Sequence, residues 1–468
     1  MKKTCTKNGF RKALADGLAF FAIMLAALAY TDRLNWFEAD QANNHTKKKW
    51  EAFYDFTKNN HVDVVLVGNS RLYTGINPKN LSEALGANCF ILASPGTSVV
   101  DSYYCLKEAL TRTKPKIAVI ETFTISNDRI RKFRGQKLSD QFKSYAARKN
   151  ILQKITSLPV LFRMEHWPEA LSSSVRNHSF IFKDYGQLQA NMKTGRRKAY
   201  DRRRDGLYLG RYVRFTTGLQ KDVLERYEKE GAPMDEADYA IGPEHRRYVD
   251  KIVRICRDNG VIPVFVSLPV YRSHVVNYEV RHEALAEIFE PLRINWIDMQ
   301  EEYSELFDTT CFENTYKPNQ HMTYQGSLRA SYLLADCIRS TFPGCLPDRS
   351  ADSGWIRLFY GQEGFFENYP PAPGDPVNKM LVLPEQREKF ILEADFIQRP
   401  EYNELIFKTV KECTWNQIRI RCILEHKGRE GQAELAVQSA PDWAPRDFSI
   451  YKCLLQQGVQ IQSIVSVE

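Results

Sequence analysis

The fold is decided by the stretch from Val62 to Arg71, which reads VDVVLVGNSR. Apart from Asp63, the residues from Val62 to Val67 are apolar, and such a run is typical of strands that are buried on both faces of a parallel sheet. The run ends in Gly68-Asn69-Ser70, so a serine stands at the carboxyl end of a buried strand. We expect a turn there that presents the Ser70 hydroxyl at the edge of a sheet.

Strands and helices alternate on either side of this stretch. Further strands are predicted at Asn88 to Ala93, Ile117 to Ile120, Val261 to Leu268 and Asn295 to Met299. Helices are predicted at Trp50 to Lys58, Val99 to Leu110, Glu244 to Arg257, Arg281 to Phe289 and Ser327 to Ile338. Strands and helices in succession predict a doubly wound parallel α/β sheet.

Composition changes twice along the chain. Residues 128–241 are polar, basic and rich in helix formers, which predicts a helical insertion in the α/β domain. After Arg349, a turn-rich segment at residues 369–376 leads into short β-type runs without helices, which favours a β-sandwich. The predicted domains are residues 1–32, a cytoplasmic tail and signal-anchor helix; residues 33–349, the α/β domain; and residues 350–468, the sandwich, as a glycan-binding candidate.

Length and charge exclude some classes of protein. A chain of 468 residues with 43% apolar and 12% aromatic content can bury more than one core. The net charge of +8 comes from 65 Lys and Arg against 57 Asp and Glu, too small an excess for a nucleic-acid-binding protein. Basic residues concentrate at the N-terminus and from Lys193 to Arg214, where a solvated face competes with contact to lipid phosphates or an acidic polymer.

The N-terminus predicts export. Five basic residues precede an apolar run from Leu14 to Tyr30, long enough for a short membrane anchor. Ala27-Leu28-Ala29 also fits a signal-peptidase site, so a cleaved secreted form is the alternative to an uncleaved anchor. In both cases the basic flank stays in the cytoplasm, and the rest of the chain lies on the periplasmic or cell-surface side.

The ten cysteines do not define a disulfide framework. None has the spacing of a metal site, and after Cys5 an odd number remains. Cys311 with Cys345, or a pair among Cys413, Cys422 and Cys453, are the candidates for a bridge. We expect no metal and no cofactor.

A second motif, HMTYQG at residues 321–326, supplies a base for Ser70. A serine hydroxyl becomes a good nucleophile only when a base takes its proton, and histidine is the usual base. Ser70 and the turn of residues 94–97 should meet at the carboxyl ends of the strands, where α/β folds bind ligands. The amides of Ser70 and Gly96 would then stabilise an oxyanion. A plain turn at Ser70 and a helix cap at His321 are the structural alternatives.

Together, the segments Gly68-Asn69-Ser70, Ser94 to Ser98, Gly260 to Val266, and His321 with Gly326 resemble the SGNH (GDSL-type) hydrolase family. The resemblance is greatest to its membrane-anchored branch, which includes cell-envelope O-acetylation and teichoic-acid D-alanylation proteins. It implies acyl ester hydrolysis or acyl transfer, with Ser70 as nucleophile and His321 as general base. For a transferase it also implies a membrane-embedded partner that delivers the acyl group.

The sequence departs from the family pattern beside the histidine. The family has an aspartate three residues before it, and here that position is Pro318, which cannot orient an imidazole. Other residues are then candidates for this role, namely Asn319, Glu121, Glu313 and Asp308. Asn69 and Arg71 are candidates for binding the oxyanion or the substrate, because they flank Ser70. The alternative for Arg71 is an ion pair with a carboxylate of the crevice.

These observations predict a serine-dependent acyl esterase or O-acyltransferase that acts on a cell-envelope glycan. Pro318 favours the alternative, a non-catalytic envelope glycan-binding or assembly protein with a degenerate site. A weaker alternative is a lectin-like module carried by residues 350–468.

Overall fold

The computed structural model describes residues 7–38, 45–125, 138–195, 199–202, 208–211, 219, 221–230, 240–271, 277–313, 321–349, 377–380, 391–398, 402–410, 417–426, 429–439, 448–456 and 459–467. Contacts within the chain define two compact units. One is formed by Met1–Lys48 and Gln141–Ala199, and the other by Lys49–Asp140 and Tyr200–Glu468. The first part of the predicted insertion therefore groups with the N-terminal helix.

Five parallel strands form the α/β sheet, as predicted. They are β1 (Val64–Val67), β2 (Cys89–Ile91), β3 (Ile117–Glu121), β4 (Ile262–Ser267) and β5 (Asn295–Asp298), in the order β2-β1-β3-β4-β5. All four residues of β1 are buried, which explains its unbroken apolar sequence. The order reverses between β1 and β3, and such a switch point opens a crevice at the carboxyl ends of the strands.

Helices cover this sheet, and they include one at each of the five places predicted. They are α2 (His45–Phe56), α3 (Ser70–Gly75), α4 (Pro78–Leu85), α5 (Val99–Leu110) and the helices Lys221–Glu230, Pro243–Asp258, Tyr278–Phe289, Met299–Glu302 and Tyr324–Thr341. The short helices α3 and α4 were not predicted. Each begins after an asparagine, Asn69 or Asn77, whose side chain accepts a hydrogen bond from an amide of the first turn.

The first unit is helical. Helix α1 spans Lys7–Arg33, and its stretch Arg11–Arg33 is long and apolar enough to cross a membrane, as a membrane anchor or a signal sequence would be. The remaining helices are Leu138–Ala147, Ile151–Leu161, Trp167–Leu171, Ser173–Arg176, Phe180–Lys183 and Tyr185–Thr194. Hydrogen bonds join the end of α1 to them, since Asp32 Oδ1 accepts from Ser173 Oγ at 2.8 Å and from the amide of Ser174 at 2.7 Å.

The C-terminal region is an antiparallel β structure, as predicted. It has two strands, at the ends of its sheet, beyond the five β-type runs of the sequence, which are Phe390 to Ala394, Glu404 to Val410, Gln417 to Leu424, Glu434 to Val437 and Phe448 to Cys453. It consists of β6 (Val377–Met380), β7 (Ile391–Gln398), β8 (Tyr402–Val410), β9 (Gln417–His426), β10 (Arg429–Ser439), β11 (Phe448–Gln456) and β12 (Val459–Val467). These strands form one sheet in the order β12-β9-β10-β11-β8-β7-β6, where a sandwich has two.

A short pairing between β10 and β11 explains why the structure has one sheet where a sandwich with two was predicted. β10 and β11 pair through two residues of each strand, Gln438 with Lys452 and Ser439 with Tyr451, which keeps the two halves of the sheet continuous. Buried side chains from both halves nevertheless share one core, for example Ile418 of β9 and Phe407 of β8.

The described cysteines are free thiols. They include Cys311, Cys345, Cys422 and Cys453, so the predicted pair Cys311–Cys345 and the pair Cys422–Cys453 are not bridged in the structure. Cys413 lies outside the described residues. Burial raises the pKa of the Cys422 thiol to about 11 and that of Cys453 to about 12, which makes both poor nucleophiles at neutral pH.

Candidate active site

Ser70 is the first residue of α3, directly beyond the end of β1. The turn before it is held by Asn69, whose Oδ1 accepts a hydrogen bond from the Arg71 amide at 2.9 Å. A close approach of two strands fixes the glycine at position 68, because a Cβ there would lie 2.8 Å from the Cβ of Glu121. The Ser70 amide lies in the first helical turn, where amides have no partner within the helix.

His321 lies against Ser70, although the two residues are 251 positions apart. Its Nε2 is 2.8 Å from the Ser70 Oγ, a normal hydrogen-bond distance. The histidine side chain is 13% exposed, so the pair is within reach of a small substrate and is largely shielded from bulk water. This is the geometry that proton transfer from the hydroxyl requires.

A carboxylate lies on the other side of the imidazole. The Oε2 of Glu313 is 3.4 Å from His321 Nδ1, and the Glu313 side chain is fully buried. Ser70, His321 and Glu313 thus lie in the order of a hydrolase triad, and the contact of Glu313 with His321 is longer than a normal hydrogen bond.

Backbone hydrogen bonds hold Glu313 beside His321. The amide of Glu313 donates to the His321 carbonyl at 3.0 Å, and the amide of Thr323 donates to the Cys311 carbonyl at 2.9 Å. Phe312 and Met322 pair as an antiparallel bridge between these bonds. We call these two short segments, residues 311–313 and 321–323, the clamp.

The clamp is fixed in turn against the helix Tyr324–Thr341. Thr323 caps this helix by accepting a hydrogen bond from the Gly326 amide at 3.2 Å. The carbonyl of Cys311 lies so close to Gly326 that a Cβ at this position would overlap it. The glycine of the HMTYQG motif is therefore required by packing between the helix and the clamp.

The other residues predicted to orient the histidine have different places. Asn319 and Pro318 lie outside the described residues. Asp308 pairs with Arg329 at 3.2 Å. Glu121 accepts a hydrogen bond from the Phe123 amide at 3.0 Å and faces the guanidinium of Arg71 at 3.8 Å.

Arg71 pairs with a carboxylate of the crevice, which was one of its two predicted roles. Its Nη2 donates to the Leu268 carbonyl at 2.6 Å, and its guanidinium stacks over the Phe123 ring at 4.3 Å. Burial lowers the pKa of Arg71, and burial also raises the pKa of Glu121, although their mutual attraction opposes both shifts. The guanidinium connects the start of α3 to the ends of β3 and β4.

The loop after β2 contains Gly96, whose amide is the second predicted oxyanion donor. Gly96 lies in a tight turn that is closed by a hydrogen bond from the Thr97 amide to the Ser94 carbonyl at 3.3 Å. The parallel pairing of β1 with β2 brings this loop and Ser70 to the same end of the sheet. Asn69 serves as the helix cap described above, so its Oδ1 is already engaged by the Arg71 amide.

Lys49 is a site-supporting residue that the sequence analysis missed. It is buried on α2, donates from Nζ to the Ala93 carbonyl at 2.7 Å and lies 3.7 Å from the centre of the Tyr73 ring of α3. Burial lowers its pKa well below the usual value. Its spacing relative to the buried Phe53 and Phe56 places it on the apolar face of α2, which was the available signal.

Within the described residues, no group of three or more His, Cys, Asp or Glu side chains is arranged to hold a metal ion.

The chain has only weak similarity to the known proteins it matches. No protein-family model and no curated protein matches this sequence. Among solved structures, the chain is similar to a Bacteroides fragilis protein assigned as an acylhydrolase (11% identity, 65% of this chain and 99% of that one, TM-score 0.30). It is also similar to a two-domain esterase active on acetylated mannans (8% identity, 90% and 93% coverage, TM-score 0.25). Scores of this size do not establish a shared fold.

Proposed function

We propose that this protein is a serine-dependent acyl esterase or O-acyltransferase that uses Ser70, His321 and Glu313 as a triad. The observation that carries the proposal is the 2.8 Å contact between the Ser70 hydroxyl and His321 Nε2, with a buried carboxylate on the other imidazole nitrogen. A histidine cap or a plain serine turn requires neither contact.

The reaction follows from this arrangement. The Ser70 Oγ attacks the acyl carbonyl carbon while His321 Nε2 takes the hydroxyl proton, and Glu313 stabilises the resulting imidazolium. The amides of Ser70 and Gly96 hold the negative charge on the carbonyl oxygen. The intermediate then expels the alcohol, which receives the proton from His321. Water or a sugar hydroxyl attacks the acyl-enzyme by the reverse sequence, which gives hydrolysis or transfer.

The substrate class is an acylated glycan of the cell envelope. Helix α1 favours an extracytoplasmic, membrane-anchored protein, because it continues through Ala27–Ala29 to Arg33 with no extended segment at the peptidase motif. The antiparallel C-terminal sheet is the candidate for holding a polymer near the site. For the transferase, a membrane-embedded partner would supply the acyl group.

The proposal is tested with a fluorophosphonate probe, which reacts with activated serines. We expect the full-length protein to be labelled and Ser70→Ala to lose the label. The control is Ser340→Ala, which should keep the label because Ser340 is an exposed residue of the helix Tyr324–Thr341. Absence of label and of acetate release from acetylated glycans, including mannans, would favour the non-catalytic glycan-binding protein. Release of acetate without an added acceptor would identify the hydrolase.

A further inference from the structure

Exposed large apolar side chains are concentrated in the first compact unit. Within the described residues, those outside this unit are Val280, Leu306 and Val465. Apart from α1, the unit exposes such residues on several helices. The most relevant are Ile151, Leu152, Ile155, Leu171, Phe182 and Tyr185.

The helix Ile151–Leu161 illustrates why this surface is unusual. Its buried face contributes Leu158 and Leu161 to the interior of the unit. Its opposite face exposes 71% of Ile151, 75% of Leu152 and 62% of Ile155. A helix on the surface of a water-soluble domain has one apolar face, so the second apolar face indicates contact with another apolar medium.

Helix α1 indicates what that medium is. The hydrogen bonds of Asp32 described above and a 2.7 Å bond between Thr31 Oγ1 and Ser174 Oγ fix the end of α1 to the same unit. The amide side chain of Asn191 also donates to the Trp36 carbonyl at 2.9 Å. If α1 crosses a membrane, these bonds keep the unit at the level of the lipid headgroups.

The charge of the unit fits an anionic lipid surface. Residues 141–199 contain eleven Lys and Arg against three Asp and Glu, an excess as large as the net charge of +8 of the whole chain. Each cation near an anionic leaflet contributes about 1 kcal/mol of attraction. Basic residues combined with exposed Phe, Leu and Ile side chains are typical of helices that lie in a membrane interface.

We propose that the helices of residues 141–195 form a lipid-binding surface on an anionic leaflet beside α1. Phe182, 86% exposed, and the Ile151, Leu152 and Ile155 face insert at the depth of the headgroups and first acyl carbons. The inference rests on α1 as a membrane anchor and does not depend on catalysis by Ser70. Together, α1 and this surface give the protein two membrane attachments.

The test uses the full-length protein in vesicles of phosphatidylcholine with about one-third phosphatidylglycerol, a content at which surface attraction of cations is substantial. A phospholipid with a photoreactive diazirine near the start of its acyl chain is activated, and the labelled peptides are mapped by mass spectrometry. We expect labelling of residues 151–155 and 181–185 well above the peptide of Leu306, which is 44% exposed but belongs to the other unit.

Two double variants make the test specific. Ile155→Asp with Phe182→Asp should lose the label at residues 151–155 and 181–185 and keep it on α1, whereas Val280→Asp with Leu306→Asp should change neither. All four side chains are exposed, so both variants are expected to fold, which thermal unfolding checks. Label confined to α1 would overturn the inference while leaving the anchor intact. A photoreactive amino acid in place of Phe182 tests for self-association. Crosslinks from this position to a second copy of the protein would also overturn the inference.

Discussion

The two halves of the candidate site are built in different ways. The Ser70 half is local, since strand β1, Gly68, the cap Asn69 and Ser70 follow one another in the chain. The His321 half is assembled by the clamp, in which Glu313 and His321 meet through backbone hydrogen bonds between separate segments. A local motif is visible in a sequence, whereas a clamp is a product of tertiary structure.

This difference explains why Pro318 is compatible with the triad proposed above. The family pattern places the orienting carboxylate on the same short segment as the histidine. Here the carboxylate comes from the opposing segment, eight residues earlier, and reaches the same imidazole nitrogen. Proline at position 318 therefore removes one possible partner of the His321 imidazole, and Glu313 faces the imidazole instead.

The largest expected effect tests whether the two halves act as one unit. Ser70→Ala and His321→Ala should each lower kcat for an acetyl ester by about 10⁶-fold, and the double variant should be no worse. Steady-state kinetics with a sensitive fluorogenic ester measures this. Multiplicative losses in the double variant would mean that the hydroxyl and the imidazole act separately.

The second effect tests the clamp as the source of the third group. Glu313→Gln keeps the shape of the side chain but no longer stabilises the imidazolium, and we expect kcat to fall by about 10⁴-fold. Asp308→Asn is the matched control, because Asp308 pairs with Arg329 and is half-exposed. Equal losses in both variants would argue against Glu313 as the orienting group.

The third effect compares Gly326 and Gly68, the two glycines of the site at which a Cβ would overlap a neighbouring residue. Gly326→Ala pushes the Cys311 carbonyl away and displaces His321, and Gly68→Ala pushes β3 away from the turn that holds Ser70. A displacement of about 1 Å in a catalytic group costs roughly 10²-fold in rate. Gly186→Ala, which has open space around it, should leave kcat unchanged. Full activity in the Gly326 variant would show that the clamp tolerates movement.

The smallest effect concerns Lys49 of α2, which contacts the Tyr73 ring of α3. Because burial lowers its pKa in the folded protein, the unfolded chain binds more protons between that lowered pKa and 10.5, and stability rises with pH over this window. Lys49→Met should reduce this rise. Over the same pH window, we expect the melting temperature of the variant to increase by a few degrees less than that of the wild type. Thermal unfolding across the alkaline range measures it, with the exposed Lys58→Met as the control. An unchanged slope would mean that Lys49 titrates normally.

The sequence predicted the parallel sheet because buried strands have a distinctive composition. Unbroken apolar runs such as Val64–Val67 have few other uses, and all five predicted strands were confirmed. The short helices α3 and α4 were not predicted, because six and eight residues carry too little periodicity. The edge strands β6 and β12 were also missed. Strand β6 has only four residues, and the apolar/polar alternation of β12 is interrupted where its register shifts, between Ile461 and Ser463 and between Ile464 and Ser466.

The site could be predicted in part. Ser70 and His321 each belong to a recognisable motif, and the structure brings them together. Glu313 was one of several carboxylates considered, and nothing in its local sequence distinguishes it from Asp308 or Glu121. Only the pairing of Phe312 with Met322 selects it, and that pairing depends on packing against Gly326.

The clamp has a consequence for the seven residues between Glu313 and His321. Because the hydrogen bonds fix both ends of that segment, its length and composition can vary at little entropic cost. Loops of other lengths grafted between positions 313 and 321 should then leave the contact between Glu313 and His321 in place.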